Sequence, residues 1–253
     1  MSTLKVITFN IYCGDPENKP GFAVADRAPR VGAVVAPYDA DLIGFQEATP
    51  TWMPYLTAQF GRDYEMIYRY RSADSLETTP LLWKRARFEC LKKGVFWYSD
   101  TPEQESKGWD TMGFARICMY ARLRDRESGK EFTYMNTHFG FGDECQLGSV
   151  ALIEQYARKL GGDRTIVTGD FNMKHTDAAY AAMTKHFGDA NMMTVRDTNS
   201  TTWQNWDVNH TGDLIDYCFV QGDVTPTHSE RISRLVGGQF PSDHFGVYTE
   251  MTI

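Results

Sequence analysis

Short apolar runs with the chemistry of β-strands dominate this chain and restrict its fold more than any other feature. They fall at residues 4–11, 41–46, 65–70, 80–83, 94–97, 116–123, 132–137, 165–168, 216–220 and 246–251. Ser128-Gly129 lies between two of them and predicts a tight hairpin turn. Helical patterns are fewer: 25–35, ending before Pro37, then 51–59, 148–160 and 177–187. The last has Asp177 near its start and Gly188 just past its end, as helix termini prefer. Strands outnumber helices, and hairpins mix with strand–helix–strand units. The expectation is an α/β chain with at least two sheets packed together and helices outside.

The 253 residues suit one large domain spanning 1–253, and no composition shift, repeat or low-complexity segment marks a linker. The stretch 14–21 follows a strand end and reads as a loop beside a site or as a surface insertion. The formal charge is -7, and the basic residues are scattered rather than gathered in a stripe. That disfavours long nucleic acid as a partner, because counterion release drives such binding, although a local basic rim is compatible with a negative total. The five cysteines form no Cys-x-x-Cys pair, which disfavours a disulfide framework and a zinc–thiolate site. Cys90, Cys118 and Cys218 read as small core residues. The opening residues Met1-Ser2-Thr3-Leu4-Lys5-Val6 carry no signal-peptide or membrane-anchor pattern, so the expected location is cytoplasmic, without membrane insertion. Nothing in the sequence sets an oligomeric state.

The informative residues are the polar ones at the ends of the apolar runs. Asn10 closes Thr8-Phe9-Asn10, Glu47 follows Phe45-Gln46, and His138 follows Asn136-Thr137. Asp170 and Asn172 follow Thr168-Gly169, Asp216 opens Asp216-Tyr217-Cys218, and Asp243-His244 precede Phe245-Gly246. Each alone has an ordinary use as a cap, a turn residue or a structural imidazole. Together they bring carboxylates, carboxamides and imidazoles to strand ends, where a rigid scaffold presents reactive groups. Oxygen donors suit a hard cation such as Mg²⁺, Mn²⁺ or Ca²⁺, and imidazoles beside carboxylates suit proton transfer.

In their order, Phe9-Asn10, Gln46-Glu47, Asn136-Thr137-His138, Gly169-Asp170-Phe171-Asn172, Ile215-Asp216-Tyr217 and Ser242-Asp243-His244 resemble the endonuclease/exonuclease/phosphatase superfamily, to which deoxyribonuclease I belongs. The resemblance runs from Leu4 to Val247, and Glu77, Trp83, 94–99, 108–110 and Arg116 extend it to a bacterial branch of small proteins. It implies a four-layered α/β sandwich, two packed mixed sheets flanked by helices, and a metal-dependent phosphoric ester hydrolase. By resemblance, Glu47 is the central ligand of one Mg²⁺ or Mn²⁺, with Asn10 and Asp243 beside it. Asp170 would orient or deprotonate the attacking water, and Asn172 would hydrogen-bond a phosphate oxygen. His244 would contact the phosphate or share the base role, with Asp216 fixing its tautomer. His138 would stand near the leaving oxygen, oriented by Glu77, and Arg116 would clamp a phosphate oxygen. Tyr12 occupies a position where some members carry a second metal-binding Asp, which favours a single tightly held ion.

The chain departs from many bacterial relatives after His138, with Gly140, Phe141 and Gln146 where those carry Asp, His and Arg. Substrate specificity therefore does not transfer from them. Phe139, Phe141, Trp203 and Trp206 are candidate pocket walls. His175, His186, His210 and His228 match no motif and read as surface or structural residues. The expected substrate is a small phosphate mono- or diester. A nuclease or DNA-repair phosphodiesterase is the enzymatic alternative, and a catalytically inactive binding module on the same fold is the alternative of another class.

Overall fold

A computed structural model describes residues 2–16, 19–196, 201–207, 209–211 and 213–253. Along the chain run β1 (Thr3–Asn10), α1 (Val24–Val35), β2 (Leu42–Gln46), α2 (Met53–Phe60), β3 (Tyr64–Ile67), β4 (Leu81–Lys84), β5 (Phe88–Trp97), β6 (Ile117–Asp125) and β7 (Glu131–His138). There follow α3 (Asp143–Lys159), β8 (Arg164–Asp170), α4 (Ala178–Met183), β9 (Gly188–Asp189), α5 (Ala190–Thr194), β10 (Asp216–Gly222), β11 (Thr225–Ile232) and β12 (Gly246–Thr252). They build two six-stranded mixed sheets, ordered β11-β12-β1-β2-β4-β3 and β5-β6-β7-β8-β10-β9.

Strand periodicity explains the layering. Alternate residues of a strand point to opposite faces, so one face of each sheet meets the other sheet and the opposite face meets helices. Val6, Leu42 and Trp83 of the first sheet pack with Ile117, Met119, Phe132, Ile166 and Val220 of the second. On the outer face of the first sheet, Ile7, Phe9 and Phe45 meet Val31 and Val35 of α1 and Leu56 of α2. On the outer face of the second, Met135, Val167 and Phe219 meet Ile153 and Tyr156 of α3 and Met183 of α4. The order of layers is α/β/β/α.

Within the interface the inward faces change character along each strand. In β1 the inward residues are Leu4, Val6, Thr8 and Asn10; in β7 they are Phe132, Tyr134, Asn136 and His138; in β8 they are Ile166, Thr168 and Asp170. Oil gives way to hydroxyl and amide, and those give way to charge. The transition is a buried polar knot around Asn136. Its Nδ2 donates to Phe45 O (2.8 Å) and Pro80 O (3.0 Å) of the other sheet. Its Oδ1 accepts from Gln46 Nε2 (2.7 Å) and Thr168 Oγ1 (3.1 Å). Gln46 Nε2 also reaches Thr8 Oγ1 (3.0 Å). Gly44 completes the knot by being small, since a Cβ there would stand 2.2 Å from Asn136 Oδ1.

Most elements lie where the sequence places them, with shifted ends. β5 begins at Phe88 rather than near 94, α3 begins at Asp143, and α4 stops at Met183. The Ser128-Gly129 turn joins β6 to β7 with Gly129 at φ 71°. β9, α5 and β11 are additional; β11 is a polar strand at the sheet edge, with Pro226 beside an irregularity in its pairing. Cys118 and Cys218 are buried, whereas Cys90 is half-buried because β5 is an edge strand. The 14–21 stretch is described except for 17–18. Among the described residues no helix is long and apolar enough to cross a membrane.

Replacing Asn136 with Ala would remove its bonds to Phe45 O, Pro80 O, Gln46 and Thr168 from inside the interface, where Pro80 O keeps Phe45 N and Gln46 Nε2 keeps Thr8 Oγ1. Each unsatisfied buried group costs about 1–3 kcal/mol, so N136A is expected to lower unfolding stability by about 3 kcal/mol in urea denaturation. G44A, which overpacks the same point, is expected to lose about 1–3 kcal/mol. Unchanged urea midpoints would show that the knot does not hold the sheets together.

Candidate active site

β1 and β2 run parallel, as do β7 and β8, and each pair is bridged by a helix, α1 or α3. The C-terminal ends of these four strands therefore open on one edge of the sandwich. There Asn10, Glu47, His138 and Asp170 meet Asp216 at the start of β10 and Asp243-His244 just before β12. Glu47, His138, Asp170, Asn172, Asp243 and His244 line a cleft of about 480 Å³, with Tyr12, Arg71, Phe114, Arg116, Phe141 and Trp203 among its other walls.

Asp170 is the centre. In the sheet it pairs with His138 on one side and Asp216 on the other. Its Oδ1 accepts from Asn172 N (2.9 Å) and its Oδ2 from Asn10 Nδ2 (2.9 Å). The same Oδ2 lies 3.5 Å from His138 Nε2 and 3.7 Å from His244 Nε2. Burial, with repulsion from Asp216, raises its pKa to about 7. His244 Nδ1 is 2.9 Å from Asp216 Oδ2. Burial opposes charge on this imidazole, but Asp216, Asp243 and Asp170 outweigh it and raise its pKa well above the usual value. His138 goes the other way: burial, then the cations Arg116 and Arg71 and the second imidazole, hold its pKa well below normal. Their surroundings thus push the two imidazoles flanking Asp170 in opposite directions, His244 toward the charged form and His138 toward the neutral one.

Glu47 sits on a left-handed backbone (φ 62°), as do Tyr12 (φ 60°) and Asn172 (φ 47°). Its Oε1 accepts from Asn10 Nδ2 (2.9 Å) and its Oε2 from Cys13 N (2.9 Å). The turn carrying that N–H is held by Arg27, which is fully buried and donates to the carbonyls of Ile11, Tyr12 and Gly14. Asp243 is raised to about 6 by burial and by Glu47, against the pull of His244. One ligand atom each from Glu47 and Asp170 (carboxylate oxygens) and His138 (a ring nitrogen) lie within 4.8 Å of one another. Carboxylates gathered with an imidazole, and no thiolate among them, fit a hard divalent cation.

Several sequence expectations need correction. Glu77 does not orient His138; it pairs with Arg71 (2.8 Å) across the loop before β4. Phe139 is fully buried against Tyr98 and Phe171 and forms core, not pocket wall. Trp206 packs on Tyr12 and Phe22, behind the cleft wall, and supports the Arg27 turn from outside. Trp203 and Phe141 do line the cleft. Asn172 donates its amide to Phe139 O (2.9 Å), and Arg116 gives its Nε to Asp110 Oδ2 (2.8 Å). His210 stacks edge-on against Trp203.

The departures after His138 are accounted for. A Cβ at Gly140 would lie 2.7 Å from Asp110 Cγ, so no side chain fits there. Gln146 Nε2 donates to Asn172 O (2.7 Å), steadying the turn after Asp170. The sequence reading missed Arg71 and Phe114, which stand in loops without a motif. Their only sequence signal was proximity to Glu77 and to Arg116.

A family model described as Endonuclease/Exonuclease/phosphatase family matches residues 7–244. Among solved structures, an endonuclease/exonuclease/phosphatase from Bacteroides vulgatus superposes with a TM-score of 0.91 at 25% identity, covering 100% of both chains. A mannosyl-6-phosphatase from Bacteroides thetaiotaomicron gives 0.87 at 26% identity, covering 99% of this chain and 100% of that one. A D. rerio TDP2 complexed with single strand DNA product shares the fold, with a TM-score of 0.75 at 20% identity, covering 100% of both. With the strand-end residues converging on one cleft and the match spanning nearly its whole length, the chain belongs to the endonuclease/exonuclease/phosphatase family.

Proposed function

We propose that this protein is a divalent-metal-dependent phosphoesterase acting on a small phosphate ester. The observation that carries the reading is Asp170, a buried carboxylate held between two imidazoles, His138 Nε2 at 3.5 Å and His244 Nε2 at 3.7 Å, next to Glu47 and Asp243. Such a constellation handles protons around an anion; a structural ion pair needs neither the second imidazole nor the open cleft.

Glu47 would hold the ion, with Asn10 and Asp243 close by, and a bound Mg²⁺ or Mn²⁺ would supply positive charge against the phosphate oxygens. Asp170 Oδ2 takes a proton from, or aligns, the attacking water, and Asn10 fixes that oxygen in place. His244, held toward its charged form and locked by Asp216, donates Nε2–H toward a phosphate oxygen. His138, held toward its neutral form, faces the leaving oxygen and hydrogen-bonds it. Asn172 supplies its backbone N–H to Asp170 and thereby sets the carboxylate plane. Arg116 faces the same cleft and contributes positive charge.

Two outcomes test the reading. E47Q is expected to lose Mn²⁺ binding in calorimetric titration and metal-stimulated phosphoester hydrolysis together, with its thermal unfolding midpoint little changed. Full wild-type activity in chelator would refute metal dependence. D216N keeps the shape beside His244 and removes the charge that sustains the imidazolium. Its kcat is expected to fall by about 10²–10⁴-fold while the fold is retained. Wild-type turnover by D216N would make the pair structural rather than functional.

A further inference from the structure

Arg71 and Arg116 stand at the His138 side of the cleft, nearly buried, with side chains 5% exposed. Each is tethered along one edge only. Arg71 uses Nε for Ser75 Oγ (2.7 Å) and Nη2 for Glu77 Oε1 (2.8 Å). Arg116 uses Nε for Asp110 Oδ2 (2.8 Å), and its Nη1 is buried without a partner. The remaining terminal nitrogens of both forks therefore have no protein acceptor among the described residues. The Phe114 ring centre lies 4.6 Å from the Arg71 guanidinium carbon and 5.8 Å from that of Arg116, and Phe141 lies 5.8 Å from Arg116. Two like charges under one aromatic roof repel, and each lowers the other's comfort in a site with little water. A buried, incompletely bonded cation is costly unless an anion completes it.

We propose that Arg71 and Arg116, roofed by Phe114, form a dianion subsite that restricts this enzyme to phosphomonoesters. The inference rests on the phosphoesterase reading above and names its substrate class. A phosphomonoester near neutral pH carries a charge of roughly -1.5 to -2 and three terminal oxygens, enough to accept from two guanidinium forks at once. A phosphodiester has one negative charge and places an esterified oxygen and carbon where the second fork requires an acceptor. Phe114 and Phe141 shield the forks from water, which strengthens their charge-assisted hydrogen bonds. The chain of nucleic acid, a diester throughout, is thereby disfavoured.

The test compares 4-nitrophenyl phosphate with bis(4-nitrophenyl) phosphate in Mn²⁺, alongside calorimetric titration of inorganic phosphate and of dimethyl phosphate in chelator. R71Q is expected to reduce the monoester-to-diester ratio of kcat/KM about 10–100-fold and to weaken inorganic phosphate binding by a similar factor. R71K keeps a charge for Glu77 but loses the fork, so it guards against misfolding and is expected to fall between R71Q and wild type. Wild-type protein that prefers the diester, or R71Q that binds phosphate as tightly as wild type, overturns the subsite and leaves the phosphoesterase reading in place. Failure to cleave either ester sinks the phosphoesterase reading, and phosphate binding then still decides the subsite.

Discussion

Asn136 directs both amide hydrogens across the sandwich, to Phe45 O and Pro80 O, and receives Gln46 and Thr168 on its oxygen. Those bonds set the separation and register of two sheets that share no backbone ladder among the described residues. Three residues at the heart of the site lie one step further along the same strands. Asn10 follows Thr8, His138 follows Asn136 and Asp170 follows Thr168, each two residues on and on the same face. The bond from Asn10 Nδ2 to Asp170 Oδ2 crosses between sheets at 2.9 Å, so it tolerates little error in that separation. The polar knot acts as a gauge block between the oily interface and the site.

This arrangement also explains what could be read in advance. The strand ends were legible because Asn10, Glu47, His138 and Asp170 interrupt apolar runs with residues that a buried strand has no reason to carry. Parallel strands joined by a helix must finish on the same edge, so Asn10 had to meet Glu47 and His138 had to meet Asp170. The Asp216–His244 contact required more, because 28 residues separate the partners and they belong to different sheets, Asp216 opening β10 and His244 preceding β12. The motif order supplied that information where local chemistry did not.

The remaining features were hidden for identifiable reasons. Aromatic residues carry no signature of which face they occupy when they follow a strand: Phe139 continues the outward face into the α3 layer, while Phe141, two residues on, escapes past Gly140 into the cleft. Glu77 was assigned to an imidazole because Arg71 sits in an irregular loop whose path no periodicity describes. β11 reads as polar turn sequence and forms a strand only because β12 offers it an edge.

The left-handed backbones at Tyr12, Glu47 and Asn172 bear on how the protein can change. Left-handed geometry costs an ordinary residue roughly 1–2 kcal/mol relative to its relaxed conformation, and glycine escapes that penalty. Glycine at position 47 would therefore relieve the backbone while deleting the carboxylate. Selection for robustness and selection for chemistry pull in opposite directions at that residue.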